Sequence, residues 1–386
     1  MSITVITNAK VVHERGIIYG GAVSFENGRI LSYGKESEID IPADAGIIDA
    51  LGAYVGPGFV DIHVHGGGGS HTSTDPRAAA AHFLKHGETS ILATPSGITS
   101  KTPDQLVECI KLIRDAMPEA RNIKGIFMEG PYSNGKYGAG KKNNIWGERP
   151  IVPEDYVPIV DAGGADIKNW MIAPERDGLI PFLEYARKVN PDVRFSVGHS
   201  EALPREIRAL GKYKPTILTH TMNATGRVGE PKGGLRCVGP DEYAFRDPDM
   251  FCELISDSLG IHVDSELQQM LIEIKGINRV CLITDSTHHV ESPPEQYAHT
   301  TDLNFNAYGN LAGSKLTMDK AAKNIMSHTR CGICEAFLMA STNPAKAVGI
   351  YDEVGSIDVG KSADLVFVDD EFNVKCVILN GEIQKI

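Results

Sequence analysis

The sequence predicts an α/β fold, namely a (β/α)8 barrel with a small β-sandwich domain built from both chain termini. Two observations indicate the barrel. Apolar strand-like runs alternate with helical stretches over residues 56–350, which is the pattern of a parallel sheet with crossover helices. These runs number about eight, which is the number of strands that closes such a barrel, and about 290 residues suffice for this fold.

Residues 1–55 and 351–386 are expected to form the small domain. Near the start, β-rich runs such as AVSFE and GRILSYG alternate with turn pairs such as Asn27-Gly28, the pattern of a small antiparallel sheet. Near the end, DLVFVD and VKCVILNG are too few strands to fold alone, since a stable sheet needs several strands and a covered face. We therefore expect both termini to pair into one β domain.

Composition excludes several classes of protein. Of the 386 residues, 42% are hydrophobic and 23% are charged, close to the soluble globular average. A formal net charge of -12 without long basic runs argues against nucleic acid as a partner. No apolar stretch approaches the roughly 20 residues of a membrane helix, and the start, MSITVITNAK, lacks the basic and apolar regions of a signal peptide. We expect a cytoplasmic protein with no membrane partner.

The seven cysteines are an odd number, scattered along a chain without an export signal, so we expect reduced thiols. Cys331 and Cys334 form a single CxxC in a segment that looks helical. No second CxxC completes a zinc site, and we interpret the pair as structural.

Six residues of metal-binding type stand at the ends of predicted strands, where (β/α)8 enzymes place their active sites. His63 and His65 end the first strand, and alternation along a strand points both imidazoles to one face. A single histidine or aspartate at such a position is more often structural, for example as a helix N-cap. Six in register on five different strands indicate a common site. The remaining four are Glu129, His199, His220 and Asp285.

Imidazole and carboxylate ligands suit zinc and its first-row neighbours. We predict one or two divalent ions, with zinc as the expected metal and iron, manganese or cobalt as alternatives. An ion held in this way lowers the pKa of a bound water from about 15.7 to about 7. Asp285 can accept the proton of the nucleophile and return it to a leaving group. The sequence thus predicts metal-assisted hydrolysis of an amide, ester or similar polar bond.

Three further features lie near these residues. The glycine run at 66–69 has two interpretations, a flexible turn or a close backbone approach to substrate. His82 and His86 lie four apart on a predicted helix, and we interpret them as a solvated face. His288, which follows the Asp285 strand, is a candidate substrate contact. The sequence contains neither a P-loop nor a GxGxxG motif, so nucleotide-binding motifs support no alternative.

The segment GPGFVDIHVHGGGG at 56–69 resembles the opening motif of the amidohydrolase superfamily, which are metal-dependent hydrolases with a barrel and an attached β-sandwich. KGIFMEGPY, VGHSEA, THTMNA, ELISDSLGIHV and LITDS look like segments of the N-acetylglucosamine-6-phosphate deacetylase family, and they occur in family order over nearly the whole chain. The resemblance implies deacetylation of an N-acetyl amino-sugar phosphate, by default N-acetylglucosamine 6-phosphate, and a homodimer.

Carried over residue by residue, the resemblance implies that Glu129, His199 and His220 hold the metal present throughout the family. His63 and His65 match the HxH of its two-metal members, in which Glu129 bridges the ions. Asp285 matches the catalytic acid/base. For the substrate, the resemblance implies that His262 contacts the sugar and that Asn223 and Ala224 contact the phosphate.

Two departures from the family pattern concern the substrate. Where the family has Gly-Ala-His, whose histidine helps to polarise the acetyl carbonyl, residues 138–140 read Gly-Ala-Gly. A second ion, Lys141 or the 288–289 loop could replace that histidine. Where the family has a phosphate-binding Arg before Glu-Pro-Gly, Gly229 stands instead, with Arg227 and Lys232 nearby as substitutes. Loss of one charge-assisted contact costs about 1.5 to 3 kcal/mol, roughly tenfold to a hundredfold or more in affinity.

Two alternative functions stay open. A related amidohydrolase could keep this site and act on another N-acyl sugar, an N-acyl amino acid or a cyclic amide. The loops at 133–149 and 225–248, which differ from the family pattern, would decide between these substrates. A non-catalytic metal-binding or sugar-binding barrel is disfavoured, because all six ligand residues are intact.

Overall fold

The computed structural model describes residues 3–226, 238–288 and 292–386. Both termini contribute strands to one eight-stranded sheet, as expected. Its strands are β1 (Thr4–His13), β2 (Gly16–Glu26), β3 (Arg29–Lys35), β4 (Gly46–Asp49), β5 (Tyr54–Pro57), β18 (Leu365–Val368), β19 (Val374–Leu379) and β20 (Glu382–Ile383).

The sheet from the termini is mixed rather than purely antiparallel, because β4 and β5 both pair in parallel with β1. The two ends of the chain meet where β5 pairs antiparallel with β18, a pairing that continues to Pro57. β5 therefore crosses the expected boundary between residues 55 and 56. The exact domain boundaries stay predictions.

Eight parallel strands form the second large sheet, in which each strand lies beside the next in chain order. At their carboxyl ends the amide of His65 donates to the Ser286 carbonyl at 2.8 Å, and the amide of Asp285 donates to the His63 carbonyl at 3.0 Å. These bonds join the first strand to the last, so the predicted (β/α)8 barrel is confirmed. The strands are β6 (Phe59–Val64), β9 (Glu88–Ala93), β10 (Ile123–Met128), β11 (Ile167–Ile172), β12 (Arg194–Val197), β13 (Ile217–Leu218), β14 (Phe251–Ile255) and β15 (Val280–Ile283).

A helix lies between each pair of successive barrel strands, as parallel connections require. The second of them shows why these segments are helical. Thr102 and Gln105 form a capping box at its start, and Leu106, Ile110 and Ile113 recur on the face buried against the barrel. The helices are α1 (Pro76–Leu84), α2 (Pro103–Ala116), α3 (Pro153–Gly163), α4 (Leu179–Val189), α5 (Pro204–Ala209), α6 (Pro240–Arg246), α7 (Ser265–Lys275), α8 (Met318–His328), α9 (Ile333–Phe337) and α10 (Asn343–Val348).

Two short hairpins extend the barrel strands at the end that carries the site. β7 (Gly66–Gly67) pairs with β8 (Ser70–His71), and β16 (Leu303–Phe305) pairs with β17 (Leu311–Ser314). In the first hairpin a Cβ on Gly66 would lie 2.3 Å from the Ser70 carbonyl oxygen, and one on Gly68 would lie 2.6 Å from Cγ of His82. The glycine run thus permits close packing against α1. His82 packs on this run and is only partly exposed, so the predicted helix face is less solvated than expected.

Apolar side chains fill the space between the barrel strands and the surrounding elements. Trp170 of β11 and Phe182 of α4 are buried with ring centroids 5.1 Å apart. Phe59, Phe337 and Phe372 pack together with centroids 5.3 to 5.8 Å apart. The six cysteines within the described residues are free thiols, as expected. Across the same part of the chain, we find no helix that combines the length and apolar character needed to cross a membrane.

Candidate active site

Glu129, directly after β10, lies at the centre of the six residues singled out from the sequence. Its Oε1 is 3.2 Å from His199 Nε2, 3.3 Å from His220 Nε2 and 3.7 Å from His63 Nε2. Its Oε2 is 3.1 Å from His65 Nε2. One carboxylate therefore contacts imidazoles that come from the ends of three different strands.

Asp285, two residues beyond β15, completes the cluster on the side of the HxH pair. Its Oδ1 is 3.3 Å from His65 Nε2 and 3.5 Å from His63 Nε2. The six side chains form two groups, and in each group the potential ligand atoms lie within 4.8 Å of one another. The groups are His63, His65 and Asp285, and Glu129, His199 and His220.

This donor set fits a divalent cation. The Nε2 atoms of His63 and His65 face each other at 3.3 Å, and the His63 side chain is fully buried. Two ring nitrogens in this arrangement cannot both donate to each other, whereas their lone pairs can share a cation. Imidazole nitrogen together with carboxylate oxygen is the combination that zinc and its first-row neighbours favour.

The charges within the cluster determine its titration. Burial raises the pKa of Glu129, but hydrogen bonds from His199 and His220 hold that pKa well below its usual range. Burial lowers the pKa of His65, but Asp285 and Glu129 raise it to about 9. Without a cation the His65 imidazole therefore retains its extra proton at neutral pH, and a cation that binds there must displace it.

Three of the six residues have left-handed backbone conformations, which are uncommon outside glycine. The φ angles are 43° at His199, 31° at His220 and 46° at Asp285. Such conformations cost about 1 to 3 kcal/mol each and persist where the surroundings hold them. The amide of Asn134 donates to the His199 carbonyl, and the amide of Ser314 donates to the Asp285 carbonyl, both at 2.9 Å. Backbone strain is therefore present at three of the six candidate ligands.

Asn223 and Ala224, the predicted phosphate contacts, directly follow His220. The carbonyl oxygen of Asn223 lies 2.9 Å from His220 Nδ1, and its side-chain amide donates to the His262 carbonyl at 3.3 Å. Ala224 has a φ of 51°. Asn223 therefore connects a candidate metal ligand with the predicted sugar contact.

His262 is 6% exposed and held on both sides of its ring. Its Nδ1 lies 2.9 Å from Oδ2 of Asp257, and its Nε2 lies 3.2 Å from the Gly313 carbonyl oxygen. Gly313 precedes Ser314, whose amide contacts Asp285. The structure thus places His262 near the Asp285 side of the cluster.

The remaining predicted contacts are less closely connected to the cluster. The His288 ring lies 5.9 Å from the His71 ring, beside the β7–β8 hairpin. Lys141 begins a short, exposed 3-10 helix, Lys141–Asn143. The residues that fall outside the described part of the chain are Arg227, Gly229, Lys232 and His289.

Two further residues, Glu253 and Ser96, surround this cluster and were not among those predicted from the sequence. Glu253, on β14, is fully buried and contacts His63. Its signal was a charged residue inside the apolar strand run FCELI. Ser96 donates to the His65 carbonyl at 2.9 Å and lies 3.0 Å from His71 Nδ1. No spacing pattern in the sequence indicated Ser96, because its contacts join loops that follow different strands.

A closed parallel barrel with imidazoles and carboxylates converging at its carboxyl end defines the class of metal-dependent barrel hydrolases. Residues 54–384 match the model of the amidohydrolase family. The chain belongs to that family and is therefore a hydrolase of carbon–nitrogen amide bonds.

Individual relatives match over almost the whole chain. N-acetylglucosamine-6-phosphate deacetylase from Bacillus subtilis strain 168 is 28% identical over 403 residues, which covers 98% of this chain and 96% of the relative. The crystal structure of N-acetylglucosamine-6-phosphate deacetylase from Pasteurella multocida is 25% identical, with a TM-score of 0.84 over 99% of both chains. A mutant of the Mycobacterium smegmatis enzyme, solved in complex with N-acetyl-D-glucosamine-6-phosphate, is 27% identical, with a TM-score of 0.82 over 99% of both chains.

Proposed function

We propose that this chain removes the acetyl group from an N-acetyl amino-sugar phosphate, with N-acetylglucosamine 6-phosphate as the substrate. The products are acetate and the amino-sugar phosphate. The observation that carries the proposal is the convergence of four imidazoles and two carboxylates at the carboxyl end of the barrel. Similarity over almost the full length to deacetylases named for this substrate supports the choice of acyl group and sugar.

The two donor groups would each hold a divalent cation. Glu129, His199 and His220 form the first site, and His63, His65 and Asp285 form the second. Zinc is the expected ion, and iron, manganese or cobalt also suit these donors. When bound, the cation supplies a Lewis acid that polarises the acetyl carbonyl and increases the acidity of water.

Asp285 is the residue that transfers the proton. Burial raises its pKa, but His63 and His65 more than compensate and lower the pKa of Asp285 below its usual value. It is therefore a carboxylate at neutral pH and can accept a proton. It takes one from the water that attacks the acetyl carbon and gives it to the sugar nitrogen as the carbon–nitrogen bond breaks. This transfer matters because an amine leaves poorly unless it is protonated.

The substrate contacts are part of the same proposal. We assign His262 to the sugar, and Asn223 with Ala224 to the phosphate, as the family resemblance implies. In support, Asn223 contacts both His220 and the His262 carbonyl. Arg227 and His288 are assigned to the substrate on the sequence alone. The homodimer is also proposed by analogy with the family, and sedimentation of the full chain tests it.

The deacetylase proposal is tested by assaying the full chain, loaded with zinc, on N-acetylglucosamine 6-phosphate and on unphosphorylated N-acetylglucosamine. We expect acetate and a primary amine in equal amounts, and a preference for the phosphorylated sugar of at least about tenfold. Equal turnover of both sugars would contradict phosphate selection. A zinc-loaded protein that turns over neither would contradict the deacetylase assignment.

A second candidate keeps the site and changes the substrate to another N-acyl sugar, an N-acyl amino acid or a cyclic amide. The observation that favours it is Gly140, which stands where the family has the histidine that helps to polarise the acetyl carbonyl, and where an added Cβ would lie 2.6 Å from Oγ1 of Thr99. The same assay, extended to these amides, distinguishes the two candidates. Faster turnover of an amide without a sugar phosphate would favour the second.

A further inference from the structure

Glu253 of β14 is a buried carboxylate that contacts both donor groups. It is 0% exposed. Its Oε2 lies 3.3 Å from His63 Nδ1 and accepts a hydrogen bond from the backbone amide of His220 at 3.2 Å. Its Oε1 has no hydrogen-bond partner among the described residues. One oxygen atom therefore contacts a candidate ligand from each group.

Burial of such a carboxylate is costly, since an ionised group out of water needs compensating partners. The partners that the structure provides are an imidazole and an amide, rather than a lysine or arginine of the described chain. The free-energy cost of burying this carboxylate is expected where its negative charge contributes to the function of the site.

The position of Glu253 determines which nitrogen of His63 can bind a cation. His63 presents a lone pair on Nε2 only when Nδ1 carries the ring proton, and an acceptor at Nδ1 selects that tautomer. For His220 the corresponding acceptor is the neutral carbonyl of Asn223 at 2.9 Å. For His63 it is a carboxylate, whose negative charge also strengthens the imidazole as a ligand.

We propose that Glu253 is a positioning residue that orients His63 for cation binding and holds it in register with His220. The inference rests on the proposed metal site and extends it to a residue that touches neither substrate nor cation. It predicts that cation affinity depends on the charge of Glu253 even where its hydrogen bonds are preserved.

Two substitutions separate charge from hydrogen bonding. Glu253→Gln can place its amide oxygen at the Oε2 position and its NH2 at the unpartnered Oε1 position, so it removes the charge while keeping the acceptor for His63 and His220. Glu253→Ala removes both. The matched control is Glu88→Gln, a second buried glutamate of the barrel, whose Oε1 accepts from the Met318 amide at 2.8 Å.

The measurement is zinc affinity of the full chain, determined by competition with a chromophoric chelator after metal removal. The visible spectrum of the cobalt-loaded protein reports the coordination. We expect Glu253→Ala to weaken cation binding by about 10- to 100-fold, Glu253→Gln to weaken it less, and Glu88→Gln to leave it unchanged. The cobalt spectrum should change only in the Glu253 variants.

The outcomes distinguish this inference from the function on which it rests. A wild-type chain that binds no cation overturns the proposed metal site. A wild-type chain that binds zinc, with unchanged affinity and cobalt spectrum in both Glu253 variants, overturns only the role of Glu253, and so does an equal loss in Glu88→Gln. Should the Glu253 variants fail to fold, NMR of isotopically labelled histidine in the zinc-loaded wild type decides, because a proton on Nε2 of His63 contradicts the inference.

Discussion

Gly138 packs directly against the imidazole of His199. A Cβ on Gly138 would lie 2.2 Å from Cε1 and 2.3 Å from Nδ1 of that ring, and the backbone φ at Gly138 is 85°. The same segment is attached at Asn134, whose amide donates to the His199 carbonyl at 2.9 Å. The loop after β10 therefore helps to position one of the candidate ligands.

Gly138→Ala should displace either this loop or the His199 ring. We expect zinc affinity to fall by about tenfold or more and stability to fall by about 1 to 3 kcal/mol, from steric overlap and left-handed strain. Chelator competition and urea unfolding measure the two effects. The control is Gly211→Ala, because Gly211 has a φ of 56° and no neighbour within 4 Å of an added Cβ. Equal loss of zinc affinity in both variants would rule out the contact with His199 as the cause.

Asp285→Asn should remove proton transfer while preserving shape. We expect kcat to fall by about 10²- to 10⁴-fold, because an amide can neither accept the proton of water nor protonate the leaving amine. The rate of product formation and the zinc content are measured on the same preparation, so that a loss of activity through loss of metal is recognised. A variant with normal zinc content and near-normal kcat would disprove the role assigned to Asp285.

Asp257 should affect substrate binding through His262. Its Oδ1 accepts from the Ile261 amide at 3.0 Å, and its Oδ2 accepts from the His262 amide at 2.8 Å. Burial raises the pKa of Asp257, but His262 and these amides lower it to about 2, so the carboxylate is ionised at any working pH.

We expect Asp257→Ala to raise KM by about tenfold with little change in kcat, since it releases a sugar contact rather than a reacting group. Asp257→Asn, which keeps an acceptor, should fall between wild type and Asp257→Ala. Steady-state kinetics on the phosphorylated sugar provide both constants. A large fall in kcat with unchanged KM would contradict this assignment.

His82 should make stability depend on pH. Burial, followed by His86, Lys85 and Lys320, lowers the pKa of His82 to about 4, and Asp319 opposes this shift. An unfolded histidine titrates near about 6.5, so between pH 6.5 and 4 the unfolded chain binds the extra proton. Stability should therefore fall as the pH decreases through this window.

The measurement is the urea midpoint of wild type and of His82→Gln at pH 7 and at pH 4.5. We expect a smaller loss on acidification in His82→Gln, because its side chain carries no titrating group. The candidate metal ligands titrate in both proteins, so their contribution to the pH dependence of stability cancels in the comparison. An identical acid-induced loss in the two proteins would show that His82 titrates normally.

Much of the fold and of the cluster could be predicted because both depend on local patterns. Alternating strands and helices specify a parallel barrel, and parallel strands bring their carboxyl ends to one edge. Glu129, His199 and Asp285 could therefore be identified from their places at strand ends. The partial burial of His82 could not be predicted, because it depends on the close approach of a hairpin that only glycine permits.

The sequence by itself determined the barrel, the pairing of the two termini and the identity of the six candidate ligands, since each follows from residue type and periodicity. Tertiary structure alone decided which atoms face one another. Glu253 meets His63 across 190 residues of chain, and Gly138 meets His199 from another loop. Such contacts depend on strand register and loop path, which are set by packing over the whole barrel and leave no periodic signal in the sequence.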